Sequence, residues 1–78
     1  MRPYRTLKEL NPGETGVVSS LQMQGSLRRR FLDIGLIADT PVLCLGRSPG
    51  GDPAAYLIRG AVIAIRGKDS KDVWLKEA

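Results

Sequence analysis

Glycine and proline punctuate this chain so densely that little longer than a strand can form between them. There are nine glycines and five prolines in 78 residues. Proline presets φ and removes an N–H donor, and glycine supplies the positive φ that tight turns need. Only one of the segments between these breakers carries a helical period. Over residues 26–34, Leu27, Phe31 and Ile34 recur at i, i+4 and i+7, with Leu32 broadening the stripe. Ser26 is placed to cap it, and Gly35 stands where a left-handed residue ends a helix. The remaining segments read as short strands. Residues 15–23 alternate Val17, Leu21 and Met23 with Val18, Ser20 and Gln22. Residues 41–46, 55–59, 61–66 and 72–76 follow, separated by the turn cluster at 48–53, by Gly60 and by a polar stretch over 67–71. Close-spaced short strands with glycine at the corners predict a mainly β chain, a small antiparallel barrel with one helix after its first strand.

Size and composition narrow the function. A domain this small buries only about 60% of the surface its unfolded chain exposes, which leaves little volume for an elaborate active site. No apolar run reaches the roughly 20 residues of a membrane span, and the N-terminus has no apolar core of a leader peptide. Histidine is absent and Cys44 is the single cysteine. The commonest general base, the commonest metal ligand and any intramolecular disulfide are thereby missing, and a cytoplasmic setting is the simpler expectation. No nucleophile–base pair, paired carboxylates or phosphate loop is visible, so no catalytic, cofactor or metal residue is assigned and no enzyme is expected. Cys44, among Val42, Leu43 and Leu45, is expected to be a small buried hydrophobe. Asp69 and Asp72 flank Lys71, a weak pattern for a hard cation.

The net charge of +4 favours an acidic partner. Arg28, Arg29 and Arg30 are the densest cationic feature. They are read in the first turn of the helix, where the macrodipole disfavours cations, so they are set against a plain solvated face as a docking patch. An arginine finger drawn from Arg29 or Arg66 is the sharper reading of the same charges. Trp74, between Val73 and Leu75, is expected to face outward as an interface anchor or an edge cover, and Tyr56, out of phase with Leu57, is treated the same way. Aromatic residues are only 5% of the chain, too few for the stacking platforms of single-strand binders, so nucleic acid is not the expected partner.

The ordered set of segments resembles the ferrous iron transport A (FeoA) family. The resemblance rests on residues 7–16 (LKELNPGETG), 27–36 (LRRRFLDIGL), Thr40-Pro41-Val42, the 48–53 loop (SPGGDP), Arg59-Gly60 and residues 63–66 (IAIR). The chain departs at Ala38-Asp39, where the family usually has Pro-Gly, and at Ser70, where it usually has alanine. The resemblance implies an SH3-like barrel over residues 1–78 with a helical insertion after the first strand. It implies a cytoplasmic accessory of FeoB, the ferrous iron transporter with a G-protein domain, reached by protein–protein contact and without a bound cofactor. Arg28, Arg29, Arg30, Arg66, Trp74 and Tyr56 are the residues expected to meet that partner. The alternatives are a nucleic-acid-binding basic barrel and a peptide- or ligand-sensing domain like those fused to metal-dependent repressors.

Overall fold

The computed structural model describes residues 4–76. A two-residue strand, β1 (Arg5–Thr6), leads into a 3-10 turn (Leu7–Glu9). Then come β2 (Thr15–Leu21), α1 (Gly25–Asp33), β3 (Pro41–Arg47), β4 (Ala54–Ile58), β5 (Ala61–Ile65), α2 (Gly67–Ser70) and β6 (Val73–Lys76). The strands form one antiparallel sheet in the order β1-β6-β2-β3-β4-β5. Among the described residues the sheet does not close into the expected barrel: β1 pairs only with β6 and β5 only with β4. Closure would need β1 and β5 to pair with each other, and no such pairing is made: β1 meets only Trp74 and Leu75 of β6.

Two bulges set which side chains enter the core. In β2, Val18 pairs with Leu75 and Ser20 with Trp74, so Ser19 is an extra residue. The inserted residue resets the alternation, and Val18 and Leu21, three apart, are both buried. The expected face of Val17, Leu21 and Met23 is therefore corrected: Val17 is only half-buried, and Val18 takes the core position. Met23 is buried beyond the end of the strand. In β3 the extra residue is Leu45, between Cys44 paired with Tyr56 and Gly46 paired with Ala55. Leu45 is pushed to 44% exposure, whereas Cys44 is fully buried as expected.

The helix ends as its sequence requires. Leu36 N–H donates to Phe31 O at 2.9 Å and Gly35 N–H to Leu32 O at 3.1 Å, the paired bonds of a Schellman motif, with Gly35 at φ +103°. Its start differs from expectation. The chain turns into α1 through Gly25 at φ +72°, with Gln24 in the cap position and no side-chain cap, so Ser26 lies inside the first turn. Arg30 then falls in the last turn of this nine-residue helix, where the macrodipole favours a cation. The dipole conflict expected for all three arginines does not hold for Arg30. Residues 67–71, read as a polar stretch, contain α2; the Gly67 N–H donates to Asp52 Oδ1 at 2.7 Å, which ties this turn to the 48–53 loop.

Candidate protein-docking site

β4 and β5 are joined by Arg59-Gly60, with φ +50° and +82°, the type I′ arrangement that matches strand twist in a two-residue hairpin. β5 contains no charged residue, and no strand among the described residues pairs with its outer edge. Its core-side residue Ile63, opposite Tyr56, packs against the buried cluster together with Leu27 and Ile34 of α1. Between the helix and the strand runs a groove of about 240 Å³, floored by Leu27, Phe31, Ile34 and Ile63. Arg30 from α1 and Arg66 from the end of β5 also line it, with Asp69 as the one acidic wall residue. Leu32, on the helix, is exposed.

The six expected contact residues differ in their settings. Arg28 is half-buried, and its guanidinium donates to Leu21 O at 3.0 Å, which straps the helix to the end of β2. Arg29, Arg30 and Arg66 are exposed, and among the described residues their guanidinium groups form neither ion pairs nor hydrogen bonds. The Arg29–Asp33 pair that i, i+4 spacing offers is not made. Trp74 faces out between the buried Val73 and Leu75 and is half-buried beneath Tyr4, whose ring stacks on it at 3.8 Å and 8°.

Tyr56 is the clear correction. It is 1% exposed, and its hydroxyl donates to Leu7 O at 3.2 Å, so it presents no ring to a partner. Ala55 to Ile58 are apolar on both faces of the strand, and period-two alternation alone cannot say which face is inside. Burial holds the Tyr56 phenol above its usual range. Sequence reading also missed Arg47, which the β3 bulge turns toward the 3-10 turn; it donates to Leu10 O at 2.8 Å. The cation pattern around Asp69 and Asp72 gathers no metal cluster among the described residues.

The sequence profile of the FeoA domain matches residues 5–77. The chain belongs to the FeoA family. Solved FeoA structures agree in architecture. The FeoA-like protein of Clostridium acetobutylicum is 26% identical, with 99% of this chain and 90% of that one covered and a TM-score of 0.86. The zinc complex of Stenotrophomonas maltophilia FeoA is 26% identical, covering 92% and 89%, with a TM-score of 0.83. That protein is described as a prokaryotic SH3 domain protein and a candidate ferrous iron transport activating factor. A manganese-dependent transcriptional repressor shares the fold at 22% identity and a TM-score of 0.86, this chain spanning 38% of it. No curated protein matches. Relative to the family pattern, Asp39 adopts φ +73°, the conformation a glycine takes without strain, and its carboxylate pairs with Lys76. Ser70 is buried in α2. Both departures are absorbed within the fold.

Proposed function

We propose that this FeoA-family chain is an accessory protein of ferrous iron uptake that works in the cytoplasm by docking onto the FeoB transporter, at its G-protein or membrane-proximal region. The observation that carries this reading is a pair of exposed arginines, Arg30 and Arg66, whose side chains have no partner among the described residues and which line an apolar groove, with the exposed Arg29 next to Arg30 on the helix. Cations left unpaired beside apolar surface suit an acidic protein face better than they suit fold stability. The description of the Stenotrophomonas relative as a candidate activating factor supports a reading in which docking raises transport. Surface complementarity does the work, and the chain contributes no bond-making step. No helix among the described residues is long and apolar enough to cross a membrane.

The test is a backbone-amide NMR titration with the soluble G-protein domain of the cognate FeoB, loaded with GDP and then with a non-hydrolysable GTP analogue. Shifts clustered on α1 and around Arg66 are expected. An absence of shifts at high protein concentration, together with normal ferrous iron uptake in cells lacking this chain, would overturn the reading.

A further inference from the structure

We propose that the free edge of β5 is a strand-addition site for an extended acidic–apolar segment of the partner. The inference rests on the docking reading above and specifies how the docking is made. Antiparallel pairs alternate between hydrogen-bonded and non-hydrogen-bonded positions. The two-residue turn makes Ile58–Ala61 a hydrogen-bonded pair, so Val62 opposite Leu57 and Ala64 opposite Ala55 are non-hydrogen-bonded with respect to β4. Their N–H and C=O groups point away from β4, and no described residue bonds to them. Val62 is 67% exposed and Ala64 is exposed. β5 thus offers a row of unmet backbone donors and acceptors, which an added strand satisfies.

The groove and its charges choose the occupant. A strand laid beside β5 turns alternate side chains toward the floor formed by Leu27, Phe31 and Ile34, and these must be apolar. Arg59 and Arg66 flank β5 at its two ends, and Arg30 stands on the facing wall; Asp69, in α2, is the single acidic residue lining the groove. Acidic residues at the remaining positions of the segment meet these cations. A second copy of this chain fits less well. Antiparallel self-pairing centred on Ile63 sets Arg66 of one copy opposite Gly60 of the other and Arg59 opposite Gly67, so the arginines at both ends of β5 would meet no acidic partner.

The test uses a synthetic peptide of alternating glutamate and valine, with an alternating lysine and valine peptide as control. Binding is followed by NMR shifts and by amide hydrogen exchange. The glutamate peptide is expected to slow exchange at Val62 and Ala64, and the lysine peptide is not. Arg30→Glu with Arg66→Glu, both exposed and without partners in the fold, is expected to weaken binding about tenfold or more. Val62→Pro removes an outward N–H that serves no bond to β4, and it is expected to abolish protection at Ala64. Equal binding of both peptides, unchanged affinity in the double arginine variant, or no protection at Val62 and Ala64 would each overturn the proposal. The FeoB domain titrated in parallel separates the two readings. If that domain binds while the β5 amides exchange freely, the edge proposal fails and docking stands. If the glutamate peptide protects the edge and the domain binds nowhere, the edge stands and FeoB is the wrong partner.

Discussion

Arg59 lays its aliphatic stem across Gly35: a Cβ built on that glycine would fall 2.3 Å from Arg59 Cδ. The contact joins the exit of the helix to the hairpin turn that opens β5. Gly35 also holds φ +103°, outside the range L side chains readily adopt. Gly35→Ala is expected to destabilise the fold by about 1–3 kcal/mol, because the backbone strain cannot be relieved by moving the flexible arginine. Arg59→Ala removes the clash and leaves the strain. If the double variant regained full stability in denaturant unfolding, the cost would lie in the contact and not in the backbone.

The arginine run is expected to split under substitution. Arg28→Ala loses a charge-assisted bond to Leu21 O and should cost about 1–2 kcal/mol in chemical denaturation. Arg29→Ala and Arg30→Ala touch no described partner and should stay within about 0.5 kcal/mol of the parent. Equal losses at all three positions would contradict the strap.

Tyr56 gives the alkaline limb of stability. Its folded pKa is raised, chiefly by burial, so its contribution is complete below the unfolded tyrosine value. That contribution is lost as pH rises through the folded value. Ultraviolet titration should show one phenol ionising late, together with loss of near-ultraviolet ellipticity. Tyr56→Phe should remove the late step and cost about 1 kcal/mol at neutral pH through the lost hydrogen bond to Leu7 O, which keeps only its bond from the Leu10 N–H.

Glu14 gives the acid limb. Its carboxylate accepts from the Asn11 N–H at 2.7 Å and from Arg5 at 3.2 Å, and the first of these does most to lower its pKa. A depressed folded pKa contributes stability above the unfolded value, and that stability is lost as pH falls through the folded one. Glu14→Gln should therefore flatten stability against pH across the carboxylate range. A carboxyl-carbon NMR titration should show Glu14 protonating at lower pH than an unperturbed glutamate.

Much of this was legible in the residues, for local reasons. Gly35 announced the helix end, Leu27, Phe31 and Ile34 its buried face, and Val73 and Leu75 the outward Trp74. What escaped reading had no local mark. Nothing in Ser19 or Leu45 distinguishes a bulge from a strand residue, because a bulge is fixed by the register of the neighbouring strand. Tyr56 sits in a segment apolar on both faces, and a four-residue helix at 67–70 is too short to show a period. The groove joins α1 to β5 across some thirty residues of sequence, a distance no spacing rule spans. Arg28 could not be told from Arg29 by type, since only the position of the Leu21 carbonyl separates them.

The extra residue at Ser19 also governs which length changes the chain can survive. With it, the half of β2 before the bulge and the half after it each place one side chain, Val18 and Leu21, in the core. Deleting Ser19 would merge the two halves into a single alternation in which Val18 and Leu21, then two apart, still face the core opposite Leu75 and Val73, whereas a further residue inserted there would need a second bulge to keep both in place. The 48–53 loop has no such phase to keep, apart from the reach of Asp52 to the Gly67 amide. Insertions, natural or engineered, should accordingly be accepted in that loop and refused in the middle of β2, where only loss of the bulge residue keeps both core side chains in phase.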